Sequence, residues 1–146
     1  MIAPTLFSDI YSRFLQKISD YTFLSMSQTD IEANLSGYLL SAISNFKRCK
    51  QDLTQRDQTS ATFSITLSDE EIEILSVLMV VEYLSPKLVT AELTKPKLSS
   101  KDYTIYSQAN HINAIRSLRD GYSSEAERKI IRYTYDNADF SKLDSL

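Results

Sequence analysis

The stretch SDEEIEILSVLMVVEYLSP, residues 68–86, decides the fold. Ser68 followed three residues later by Glu71 is a capping box, in which each side chain satisfies a backbone donor that a helix start leaves open. Asp69, Glu70 and Glu71 then occupy the first turn, where carboxylates complement the positive end of the peptide dipoles. From Ile74 to Leu84 the residues are apolar almost all round. A surface helix would show a polar face, so this one belongs at the centre of a domain or between subunits. Pro86 disfavours helical geometry at Ser85 and predicts an end or a kink there. Leu88, Val89, Ala91 and Leu93 suit a short continuation, which Pro96 closes within a basic linker of Lys95, Lys97, Ser99, Ser100 and Lys101.

Upstream, FSITL at 63–67 changes period: Phe63, Ile65 and Leu67 alternate with Ser64 and Thr66, as in a half-buried strand. The best partner within the chain is Tyr103–Tyr106, where Tyr103 and Ile105 would share a face. Leu6, Phe7, Ile10, Tyr11, Phe14, Leu15 and Ile18 recur at spacings of three and four, predicting a first helix over 5–22. A second follows Ser27 or Thr29 as N-cap, with Ile31, Leu35, Leu39, Ala42 and Phe46 on its apolar stripe. Gly37 in that stripe costs propensity or marks a close helix contact. Residues 47–62 are polar and without period, and read as a helix end and loop.

The last long element begins near Ser107. Ala109, Ile112, Ile115, Tyr122, Ala126, Ile130 and Tyr133 keep one phase across it, and Gly121 leaves two versions open: one helix, or two meeting at the Ser124/Glu127 capping box. The fold class is therefore all-α, a bundle of four to five helices with one small β hairpin, comprising a helical domain over 1–137 and an extended C-terminal arm over 138–146. Its core should hold Phe14, Ile18, Leu35, Leu39, Leu75, Leu78, Met79 and Ile115.

Composition narrows the function classes. With 146 residues, 42% of them hydrophobic, the chain can bury a core without staples. One cysteine excludes an internal disulfide, and no apolar run approaches the ~20 residues of a membrane span. The first residues lack the basic and apolar regions of a secretory signal, which implies cytoplasmic synthesis. A net charge of −3 argues against a protein built to grip phosphates, and two isolated glycines cannot form a phosphate cradle.

No cofactor and no metal is expected, because one histidine and one cysteine give no zinc spacing. His111, on a helix without a foreseeable carboxylate, reads as a surface or interface group rather than a general base. Cys49 stands among Lys47, Arg48 and Lys50, whose charges would lower a thiol pKa, though no histidine is near in sequence. The Asp69–Glu73 carboxylates are sufficiently explained by their helix start. On this inventory the protein is not an enzyme.

Two basic clusters, Lys47–Arg56 and Lys87–Lys101, are either solvated faces or partners for the Asp69–Glu73 patch of an identical subunit. The second reading makes Asp69, Glu70, Glu71, Lys95, Lys97 and Lys101 candidate subunit-interface residues. Tyr133, Tyr135, Phe140, Leu143 and Leu146 are apolar groups at the end of a chain whose preceding helix already supplies a core-facing stripe. They are candidate partner-binding residues of the arm, unless the arm folds back on its own helices.

LSDEEIEILSVLMVVEYL at 67–84, the basic linker, and KDYTIYSQANHINAI at 101–115 with its Ser107-Gln108-Ala109-Asn110-His111 resemble the head-tail connector or adaptor proteins of tailed bacteriophages. The resemblance covers roughly residues 60–135, and the N-terminal helices match only in kind. It implies a virion neck protein, made in the host cytoplasm. About a dozen copies would form a ring beneath the portal protein, in contact with further neck or tail proteins, and DNA would pass through without sequence-specific binding. The C-terminal segment would anchor each subunit to the portal. The rival class is a cytoplasmic helical regulatory or protein-interaction module.

Overall fold

The structure, a computed structural model, describes residues 3–18, 27–94 and 102–138. Among these the chain forms α1 (Phe7–Lys17), α2 (Gln28–Asn45), β1 (Arg56–Asp57), β2 (Thr62–Phe63), α3 (Asp69–Thr94) and α4 (Asp102–Asp136). It is an all-α bundle with one small antiparallel hairpin.

Helix α3 is the axis, and α1, α2 and α4 each pack on it. Ile74, Leu75, Ser76, Val77 and Met79 are completely buried, which nearly consecutive positions can be only when neighbours surround a helix. Ser76 enters this apolar column because its hydroxyl donates to the Glu73 carbonyl at 2.7 Å. An aromatic trio binds three helices: Phe14 of α1 meets Tyr83 of α3 at 5.7 Å and Tyr38 of α2 at 6.0 Å, and Tyr38 meets Tyr83 at 5.9 Å between centroids. Leu35, Leu39, Leu75, Leu78 and Met79 lie in the core as expected. Ile18 and Ile115 are only half-buried, and the described buried positions of α4 are Ile112, Ala126 and Tyr133.

Local signals explain most boundaries. Ser27 is the N-cap of α2, its hydroxyl accepting from the Asp30 N–H at 3.2 Å. Helix α1 starts at Phe7 rather than 5 because Thr5 and Leu6 are extended and paired with the chain beside β2. The Thr5 N–H donates to the Ile65 carbonyl, the Phe63 N–H to the Thr5 carbonyl, and the Phe7 N–H to the Ala61 carbonyl.

One expectation is corrected, and two points the sequence left open, at Pro86 and at Gly121, are narrowed. The strand over 63–67 shrinks to Thr62–Phe63, and its partner is β1, with Arg56 opposite Phe63 and Asp57 opposite Thr62. Tyr103–Tyr106 lies instead inside α4. The two-residue alternation survives in burial only in part: Phe63 and Leu67 are inside and Ser64 is out, but Ile65 and Thr66 are both half-buried. The Asp57 carboxylate, accepting from the N–H groups of Thr59 and Ser60, shapes the turn that makes the near partner reachable.

Pro86 does not end α3, which runs eight residues further. Proline removes the donor for the Glu82 carbonyl, but continuation buries Leu88, and the Ser85 hydroxyl donates to the Val81 carbonyl one turn back at 2.9 Å. Finally, α4 is one helix through Gly121, and the Ser124/Glu127 box does not start a second one. Neither Gly121 nor Gly37 has an atom within 4 Å of where a Cβ would stand, so neither marks a close approach.

Candidate functional site

A cluster of polar groups joins three elements where α4 ends. The loop leaving α2 brings Phe46, Cys49 and Lys50; the start of α3 brings Ser68 and Glu71; the last turns of α4 bring Tyr133. Phe46 is fixed because its N–H caps α2 by donating to the carbonyls of Ala42 and Ile43. Its ring stands edge-on to that of Tyr133 at 5.3 Å and 70°.

Glu71, 3% exposed, divides its two oxygens between two tasks. Oε1 accepts from the Ser68 N–H at 2.7 Å, while the Ser68 hydroxyl accepts from the Glu71 N–H at 3.1 Å, completing the predicted box. Oε2 accepts the Tyr133 phenol at 2.6 Å and the Cys49 thiol at 3.4 Å. The phenol oxygen, in a side chain 2% exposed, also accepts the Lys50 N–H at 2.8 Å. A phenol has one proton to give, and the geometry gives it to Glu71 rather than to the Cys49 sulfur 3.9 Å away.

These contacts set the chemistry. Burial, with the Glu71 hydrogen bond, pushes Tyr133 far above the ordinary phenol range. Burial, with the Glu71 charge, pushes the Cys49 thiol up to about 11, although the Gln51 N–H opposes the shift. Burial thus outweighs the lowering that Lys47, Arg48 and Lys50 would exert on that thiol. At neutral pH both groups are protonated donors to a carboxylate, an arrangement that fastens elements together and supplies no nucleophile. The open cleft beside Cys49, about 450 Å³ and flanked by Ile43, Lys47 and Leu53, thus holds an unactivated thiol.

A second, more exposed cluster ties α1 to α3. The Arg13 guanidinium reaches Glu73 at 3.1 Å and Asp69 at 3.6 Å, and the Lys17 ammonium reaches Glu73 at 2.6 Å. Burial works against ionisation of Glu73, but the hydrogen bonds from Lys17 and Arg13 outweigh it and hold the carboxyl below its usual value.

The candidate interface residues thus divide. Glu71 is not available to another subunit, because it is buried and both its oxygens are used. Asp69 and Glu70 are exposed, and the cation near Asp69 is Arg13 of the same chain. Lys95, Lys97 and Lys101 lie outside the described residues. Among the arm residues, Tyr133 is not available to a partner: its ring belongs to the core and its hydroxyl to the junction. Tyr135 is 69% exposed. Phe140, Leu143 and Leu146 lie outside the described residues. His111 stands exposed on α4.

Sequence reasoning missed the junction, although its phase already placed Tyr133 on the core-facing stripe of α4. Among the described residues no group of three His, Cys, Asp or Glu side chains is placed to hold a metal, and no helix is long and apolar enough to cross a membrane. No family model, curated protein or solved structure matches the chain.

Proposed function

We propose that this chain is a structural head-tail connector subunit of a tailed phage, part of a ring beneath the portal through which DNA passes. The observation that supports this most is the division at the end of α4. Tyr133 locks one face of the helix into the body, while the opposite face carries Ile131, 64% exposed, and Tyr135. Directly beyond come Phe140, Leu143 and Leu146 in sequence. In this reading that outward face and the following segment form the portal-docking arm, with Tyr133 as its fixed root.

Each large side chain buried in a partner's groove contributes roughly 1.5–3 kcal/mol, offset by the cost of ordering the segment. Repetition around a ring adds avidity that one arm lacks. Ring closure with more than two copies needs unlike surfaces on each subunit. Glu70, exposed at the start of α3, is the acidic side of that contact, and Lys95, Lys97 and Lys101 are the basic side. Rim pairs of this kind act on assembly rate and salt dependence more than on affinity. The subunit would reside in the virion neck and touch portal, its own copies and further neck or tail proteins.

Electron microscopy of purified particles carrying this protein with a label tests the reading. Label in a ring at the head-tail junction is expected. Particles without label, together with a small stable oligomer in solution that ignores portal protein, would favour the rival regulatory module.

A further inference from the structure

We infer that the cleft between α1, α2 and the hairpin turn receives the basic corner Lys47, Arg48 and Lys50 of a second copy of this chain. The cleft, about 380 Å³, opens between Leu6 and Tyr11 at the start of α1, Glu32 and Ser36 of α2, and Gln58 and Ser60 of the turn. Tyr11 is 9% exposed, and its hydroxyl bonds to that of Ser36, which also accepts from the Gln58 amide at 3.3 Å. The segments that build the cleft, 6–12, 27–36 and 57–61, contain Asp9, Asp30, Glu32 and Asp57 and no lysine or arginine. One Glu32 oxygen accepts from the Gln28 amide at 3.0 Å, and no cation among the described residues pairs with that carboxylate. A concave site rich in acceptors and without a cation of its own fits an ammonium or guanidinium group.

The chain carries such groups at the other end of α2. Lys47, Arg48 and Lys50 are exposed within a stretch, 46–51, that holds no acid, and none of them pairs with a carboxylate of the described residues. Their backbone is fixed, because the Phe46 N–H caps α2 and the Lys50 N–H is held by Tyr133. Asp52, the next acid in sequence, is turned into its own loop by the Thr54 N–H. From Ser36 to Asn45 the helix rises about 14 Å, farther than a lysine side chain reaches, so a subunit cannot bring this corner to its own cleft. The contact is therefore between unlike surfaces of two copies, the kind that a ring requires. As a ring contact, additional to the one at Glu70, it rests on the connector reading; as self-association of the chain it does not.

Sedimentation velocity of the full chain over a range of concentration and salt tests the inference with two variants, Glu32→Lys and the triple replacement Lys47→Ala, Arg48→Ala, Lys50→Ala. All four positions are exposed, and circular dichroism checks that both variants keep the native fold. The native chain should self-associate reversibly, and less so as salt rises. Each variant alone should weaken that association about tenfold or more. Mixed together, the two variants should form a complex of two copies and stop there, since the corner of the first still meets the cleft of the second. A native chain that stays monomeric at low salt, association that either variant leaves unaltered, or a mixture that does not pair would overturn the inference. Disruption by Glu70→Lys with Glu32→Lys silent would overturn it and leave the ring reading in place. Pairing of the mixed variants in solution, with no labelled ring in particles, would support it and overturn the connector reading instead.

Discussion

Replacing Glu71 by alanine separates its role from that of its neighbours, because Asp69, Glu70 and Glu71 look alike in sequence and differ entirely in the structure. Glu71→Ala removes the acceptor for the Ser68 N–H, and loss of such a cap contact costs about 0.5–2 kcal/mol. It also strands the Tyr133 hydroxyl and the Cys49 thiol as donors. A buried donor left unsatisfied costs about 1–3 kcal/mol, and the thiol adds little because it is a weak donor. The phenol still accepts from Lys50, and the end of α4 can adjust, which favours the lower part of each range. The expected loss is about 1.5–3 kcal/mol. Glu70→Ala, at an exposed position, should stay within about 0.5 kcal/mol of the native chain.

Urea unfolding followed by circular dichroism measures both variants. A double-mutant cycle of Glu71→Ala with Tyr133→Phe should return a coupling of about 0.5–3 kcal/mol, since the two share one hydrogen bond. Equal stability of the Glu70 and Glu71 variants would refute the junction, and so would strict additivity in the cycle.

Leu75→Ala, at a completely buried position of α3, should cost about 2–5 kcal/mol in the same unfolding assay. Gly37→Ala and Gly121→Ala should each stabilise by about 0.5–1 kcal/mol, as exposed helical positions with open space where the methyl group enters, and a drop in thermal midpoint would contradict this. Because folding raises the Cys49 pKa, its contribution is complete below the unfolded thiol value of about 8.5 and is lost as pH rises toward about 11. Cys49→Ala should therefore flatten the alkaline loss of stability over that window. Alkylation of the native thiol at pH 8 should run more than about tenfold slower than that of an unperturbed cysteine.

Much of the architecture is legible because local and global signals agree in it. The Ser68/Glu71 box, the apolar run to Leu84 and the Ser27 cap each reappear as read. Disagreement arises where tertiary burial overrides a local rule. Pro86 forbids one hydrogen bond, yet burial of Leu88 beyond it carries α3 onward. The strand finds a partner seven residues away instead of forty, because an Asp57 turn shapes a short loop for hairpin pairing and closing a long one costs more entropy.

The site was harder to read because it depends on what a side chain faces. Three adjacent carboxylates are equivalent on paper, but only the third residue of a capped helix points back across the helix start, where Tyr133 and Cys49 meet it. Likewise, cations next to Cys49 in sequence matter less to its thiol than burial beside Glu71. Tyr133 carried both signals, the phase of a core residue and the proximity to an apolar tail, and the phase was the better guide.

The measurement that tests the central claim most directly is portal binding by the chain truncated after Asn137. The last described turns of α4 are tied to the body through Tyr133, and the Asn137 N–H and side-chain amide both donate to the Tyr133 carbonyl. Truncation should therefore leave the thermal midpoint and helical signal of the subunit unchanged while abolishing its association with portal protein in sedimentation or co-purification. A truncated subunit that still joins portal and builds complete necks would contradict the account, as would one that loses its fold because the arm was part of its own core.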